Sequence, residues 1–215
     1  MEFVLLKKLA KLEGTELWMF IGAIVAVAAL IAVLAVLNKK HVNVAPTVEK
    51  KGNKITTRML VQGALCIALA FVLSYIKLFS MLPIFVFAWM YGPAAGLLAG
   101  FAYSLLQVVQ GAYVVHPVQF VLDYFLSFTV LGVAGFFPKS LALGAGVGGF
   151  CRMLCGVLSG AIFFADSAAE AGYANAWAYS FMYNFTTIGV DTILCVIAAL
   201  IPAVSKAAVR IRDGK

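Results

Sequence analysis

Apolar residues run through this chain in long blocks, broken at short polar stretches and not alternating with them. About 20 apolar residues in a helix cross a bilayer, and on that measure the blocks predict a leading helix near 17–37. Six more helices follow, near 57–76, 80–92, 93–111, 118–137, 141–165 and 176–203. The alternating pattern of a membrane barrel is missing, and the blocks are too long for a soluble core. The expected fold is therefore all-α and integral to the membrane: a six-helix bundle preceded by one extra helix.

The joints set the domain limits. Residues 1–37 form an accessory helix, 38–56 a basic linker, 57–204 the six-helix domain and 205–215 a basic tail. Leu17 to Leu37 is too long an apolar run for the core of a signal peptide, so a retained helix is expected.

Composition agrees with a membrane chain: 64% of residues are hydrophobic, 12% are charged, and mean hydropathy is +1.02. A net charge of +7 would suggest nucleic acid for a soluble protein. Here its placement follows the positive-inside rule instead. Lys39, Lys40, Lys50, Lys51, Lys54 and Arg58 share one loop, and Lys206, Arg210, Arg212 and Lys215 share the tail. Both ends of the six-helix block are thus expected in the cytoplasm, with the N-terminus of the chain outside. Lys77 and the connections 111–117 and 166–176 then face out, and Gly92-Pro93 and Pro138-Lys139 face in. Tyr113, His116, Asp166 and Glu170 belong to the outer connections, which is where chemistry is expected.

The four cysteines, Cys66, Cys151, Cys155 and Cys195, fall inside predicted helices, without the spacing or the nearby histidines of a zinc site. They read as small core residues, and no metal or cofactor is expected. No Walker, HExxH or GxSxG motif occurs, so energy from ATP would have to come from a partner.

Polar residues inside the blocks carry more information. A charge at membrane depth costs roughly 2.5 kcal/mol or more, which makes Asp123 a functional candidate. Gln119 lies four residues earlier on the same helical face. Arg152 is the second costly charge, near the middle of its helix. A structural ion pair is expected for it, with Asp191 as partner and Asp123 as rival. Ala64 and Ala68 form a small-xxx-small pair suited to close helix contact, and Gly144, Gly148, Gly149 and Gly156 do the same for the 141–165 helix.

Three stretches then stand out in order: Tyr91-Gly92-Pro93-Ala94-Ala95-Gly96, Tyr113 through His116, Gln119 and Asp123 to Tyr124, and Trp177 through Tyr179 and Ser180 to Asn184. Together, from about Thr57 to Ala203, they resemble the thiamine-specific S components of energy-coupling-factor transporters. The resemblance implies six helices, both termini of that block inside, and an outward-facing vitamin pocket. It implies that Asp123 faces the thiazolium with Tyr124 beside it, that Tyr103 and Tyr113 supply aromatic contacts, and that Tyr179, Ser180 and Asn184 form the last helix's motif, with Asn184 near the pyrimidine. Gln119, His116 and Trp177 complete the implied substrate set. Ala64 and Ala68 match the surface that packs on a transmembrane T component, whose two ATPases would power uptake. Three positions depart from the family pattern. The connection Ile76 to Met81 is short, Gly156 stands where a histidine is common, and Phe164 stands where some relatives carry tryptophan.

The chemistry suits a thiamine pocket in its own right, because a permanent cation favours a carboxylate and aromatic faces. Two other readings remain. One is an S-component-like transporter for another small heterocyclic vitamin or precursor. The other is an intramembrane enzyme using Asp123, His116 and Tyr124, disfavoured because no nucleophile pairs with His116 at readable spacing.

Overall fold

The computed structural model describes residues 56–213. The leading helix expected at 17–37 and most of the linker lie outside the described residues. Eight helices and no strands are found among those residues: α1 (Thr57–Ile76), α2 (Leu82–Tyr91), α3 (Pro93–Gly111), α4 (Pro117–Phe136), α5 (Leu141–Phe163), α6 (Ala165–Glu170), α7 (Ala176–Leu200) and α8 (Pro202–Asp213). Five of them, α1, α3, α4, α5 and α7, are long and apolar enough to cross a membrane. The six predicted helices of the block are thus all present, with ends close to those expected.

Start and stop signals explain the boundaries. The Thr56 hydroxyl accepts from the Met59 N–H at 3.2 Å and opens α1. Gly92, at φ 89°, turns the chain from α2 into α3, and Pro93 takes the first helical turn, where its missing N–H costs nothing. Ser140 caps α5 at the Leu143 N–H. The last long helix ends at Leu200 and not at 203, because Pro202 has no N–H to continue it.

α2 is the exception to the predicted lengths. Its ten residues span about 15 Å, half of a hydrocarbon core. The preceding connection makes up the depth by folding into the bundle, so that Met81 is fully buried and Ser80 nearly so. Lys77 and Phe79 adopt left-handed conformations there, at φ 60° and 58°. Asp191 of α7 holds this re-entrant turn. Its Oδ1 accepts from the Phe79 N–H at 2.5 Å and its Oδ2 from the Ser80 hydroxyl at 3.2 Å. The connection thus begins exposed at Ile76 to Leu78 and ends buried at Ser80 and Met81.

α3 and α4 approach backbone to backbone. A Cβ on Gly132 would sit 2.1 Å from the Leu97 nitrogen, so only glycine allows the crossing. α5 lies at the centre, packing on α2, α4 and α7. Its glycines meet Ala134, Phe85, Thr192 and Asn184, as their spacing suggested.

The tail is a helix from Pro202. α8 turns back under the bundle, where the Ile211 carbonyl accepts from the Arg58 guanidinium at 2.5 Å and the Gln62 amide at 3.0 Å. Ala208 is buried against the cluster that includes Phe87, Met90 and Ala99. One end of the bundle thus gathers Arg58, Lys139, Lys206 and Arg210, and the other carries Lys77, Tyr113, Asp166 and Glu170.

Candidate functional site

α4 is not a plain helix. The segment Val121–Leu126, which carries Asp123 and Tyr124, winds as a π-helix. A second π-turn, Phe185–Gly189, follows Asn184 in α7. Both turns pack on α5. Such insertions recur at functional sites because they re-aim side chains, and here both flank predicted site residues.

Gln119 organises the outer connection. Its side chain is 1% exposed. The Oε1 accepts from the Val115 N–H at 3.1 Å, and the Nε2 donates to the Tyr113 carbonyl at 3.1 Å and to Asp123 Oδ2 at 2.6 Å. Asp123, half-buried, also lies beside Ser159 of α5. The Tyr124 hydroxyl accepts from the Tyr113 N–H at 2.9 Å. Tyr113 itself is 68% exposed, with its ring 6.2 Å from that of Phe164. His116 starts α4: its Nδ1 accepts from the Val118 N–H at 3.1 Å, and its ring stacks on Phe163. Tyr113, His116, Gln119, Asp123 and Tyr124 are therefore brought together at one end of the bundle.

Beneath them is a cavity of about 330 Å³. Lys77, Gln110 and Gly111 line it toward the Tyr113 end, and Gln107, Tyr124, Arg152 and Asp191 line it deeper. Tyr124 is the predicted site residue on this wall; Asp123, next to it in α4, is not among the lining residues. Gln107 Nε2 and Arg152 Nε have no hydrogen-bond partner among the described residues. Donors thus stand ready around the space.

The ion pair expected for Arg152 is not formed among the described residues. Its guanidinium rests 4.1 Å over the ring of Phe128. Tyr103, fully buried, meets the same Phe128 edge-on at 5.1 Å and donates to the Ala70 carbonyl at 3.2 Å. Asp191 is drawn off to the re-entrant turn, and Asp123 to Gln119. A cation–π contact takes the place of the carboxylate.

The remaining candidates are not among the residues that line the cavity. Asn184 is buried between α7 and α5, donating to the Ser180 carbonyl at 2.9 Å, while the Ser180 hydroxyl donates to the Val157 carbonyl at 2.8 Å. The position of Gly156 explains this packing, because a Cβ there would sit 2.2 Å from Asn184 Oδ1. The space a side chain at 156 would claim is filled by Asn184. Tyr179 stacks on Tyr183 and meets Tyr173 edge-on, and Trp177 is 41% exposed at the start of α7. Ala64 and Ala68 are exposed on α1, in a face with Leu60, Leu65 and Leu69.

Polar cavity residues outside the predicted set are Ser74, Lys77, Ser80, Gln107, Gln110, Arg152, Thr187 and Asp191. Gln107 and Gln110 lie three apart, hence on one face of an apolar helix, a signal that could have marked them. Lys77 begins the turn that Asp191 of α7 holds, a meeting of distant residues that spacing does not reveal. The cysteines are free, and no metal-binding group of His, Cys, Asp or Glu forms among the described residues.

Comparison with known proteins agrees with this architecture. The model of the family described as Thiamine transporter protein (Thia_YuaJ) matches residues 60–211. The thiamine transporter ThiT of Bacillus subtilis (strain 168) is 32% identical over 134 residues, covering 54% of this chain and 69% of that protein. A solved structure of ThiT from Listeria monocytogenes has a TM-score of 0.58 at 21% identity, over 72% of this chain and 96% of that one. At that identity the structural likeness speaks for the fold. With a family match across most of its length, the chain belongs to the thiamine transporter protein (Thia_YuaJ) family.

Proposed function

We propose that this chain is the substrate-binding subunit of a vitamin transporter, capturing thiamine at the Tyr113 end for uptake driven by a T component and two partner ATPases. The observation that carries this reading is the position of Tyr124, which lines the cavity and also holds the outer connection through its hydroxyl. A ligand against that ring is sensed by the connection above it.

The cavity lies at the small end of the range for ligand sites, which suits a two-ring vitamin. Tyr124 offers an aromatic face to the thiazolium, a contact of about 0.5–2 kcal/mol. Asp123, next to Tyr124 in α4, adds negative charge, and Asp191 lines the same cavity. The family resemblance, and not the cavity's lining, assigns Asn184, Tyr179, Tyr103, Gln119, His116 and Trp177 to the same site, as supports around it. The concentration of cations at the Arg210 end supports a cytoplasmic placement of that end, which turns the Tyr113 end outward. The exposed Ala64–Ala68 face on α1 suits the T component.

Co-reconstitution tests the coupling. Thiamine should accumulate in proteoliposomes only when this chain, the T component, the ATPases and ATP are all present. Equal accumulation by the chain alone would overturn the energised part of the proposal.

A second reading is favoured by the unpartnered donors of Gln107 and Arg152, together with Lys77. They suit a heterocycle rich in acceptors better than a bare cation. Tighter binding of such a vitamin or precursor than of thiamine would select it.

A further inference from the structure

The Arg210 end holds a larger cavity, of about 550 Å³, between the end of α2, the start of α5, the end of α7 and α8. Lys139, Lys206 and Arg210 all line it, and none of its lining residues is acidic. Ser140 and Ser205 add hydroxyls, and the Trp89 indole, donating to the Pro138 carbonyl at 3.0 Å, forms part of its wall. The rest of the lining is aliphatic. Ala142 belongs both to this cavity and to a second one of about 430 Å³. That second cavity is a groove along α5 and α7, lined by Leu143, Gly146, Val147, Phe150 and Val196, and it is almost wholly apolar. Gly146 keeps it open, since a Cβ there meets nothing nearer than Val196 at 3.6 Å.

We propose that these two spaces form one site for an anionic phospholipid, with the phosphate among Lys139, Lys206 and Arg210 and an acyl chain along the Gly146–Phe150 groove. Charge complementarity selects the occupant. Three exposed cations without a carboxylate among them favour an anion, and the apolar groove that adjoins them at Ala142 favours one that carries a hydrocarbon chain. Basic pockets between membrane helices recognise lipid headgroups in this way, and each Lys or Arg near an anionic surface contributes roughly fivefold in affinity. Trp89 marks the headgroup level, where aromatic side chains concentrate. The fold supplies the site through α8: Arg58 and Gln62 anchor it at the Ile211 carbonyl, and Lys206 and Arg210 are thereby set one turn apart over the cavity. The lipid would tie α8 to the body of the protein from the side opposite to Arg58. This site is independent of the thiamine proposal, since it lies at the other end of the bundle.

The test uses the purified full chain in neutral detergent, with thermal unfolding and lipid retention by native mass spectrometry as readouts. Phosphatidylglycerol should raise Tm by several degrees more than phosphatidylcholine of the same chain length. The K206Q/R210Q variant should lose that difference and retain phosphatidylglycerol about 25-fold less. G146L, which fills the groove and leaves the cations in place, should weaken retention of long-chain phosphatidylglycerol and not of a short-chain form. Equal protection by phosphatidylcholine would overturn the proposal. So would full protection by glycerol phosphate or inorganic phosphate, which would make the site one for a free anion. Loss of partner assembly in K206Q/R210Q with lipid retention unchanged would assign the surface to a protein contact and also overturn it.

Discussion

The backbone N–H of Tyr113 donates to the phenolic oxygen of Tyr124 at 2.9 Å, joining an exposed connection to the wall of the inner cavity. Tyr124→Phe keeps the ring and removes the acceptor. The loss should cost about 1 kcal/mol of order in the connection and show as roughly fivefold faster thiamine release in stopped-flow fluorescence. An unchanged release rate would mean that the connection does not sense the site.

Gly156 and Asn184 compete for one space, since a Cβ at 156 falls 2.2 Å from Asn184 Oδ1. Gly156→Ala must displace a buried amide that is hydrogen-bonded to Ser180. Overpacking of this kind costs about 1–3 kcal/mol, and a fall in Tm of several degrees should follow. A histidine at 156 should be worse than alanine in this chain, however common it is elsewhere.

Asp191 holds the buried turn that precedes α2, through Phe79 and Ser80. Asp191→Ala leaves the Phe79 N–H without its partner, at a cost of about 1–3 kcal/mol. Asp191→Asn retains one acceptor and should cost less. Thermal unfolding of the two variants in detergent orders them. Equal loss in both would show that the charge, and not the hydrogen bond, holds the turn.

Ala64 presents a smooth exposed face on α1. Ala64→Trp should block recovery of the T component and ATPases on affinity purification of this chain, with thiamine affinity unchanged. Full recovery would return that face to lipid.

Most of the architecture was legible in the sequence, because bilayer thickness fixes helix length and prolines and glycines mark the joints. Thr56, Gly92-Pro93 and Ser140 act where a sequence rule places them. What was not legible depends on tertiary contact. The depth of Met81 follows from a turn held by Asp191, more than a hundred residues away. The placement of Arg152 over Phe128 follows from both carboxylates being engaged elsewhere. The helical tail was hidden by its charge: Lys206 and Arg210 read as a solvated end, although Ala208 on the opposite side is buried. Of the candidate site, the cluster from Tyr113 to Tyr124 was legible because one short segment contains it. The cavity residues of α3 and α7 were not, apart from the pairing of Gln107 with Gln110.

Asp123 and Tyr124 are proposed to form part of a thiamine site, and calorimetric titration of thiamine into the purified full chain decides whether they do. One-to-one saturable binding is predicted, weakened by about 1–3 kcal/mol in Asp123→Asn, or roughly 5- to 150-fold. Absence of thiamine binding, or equal affinity in the wild-type chain and Asp123→Asn, would contradict the proposal.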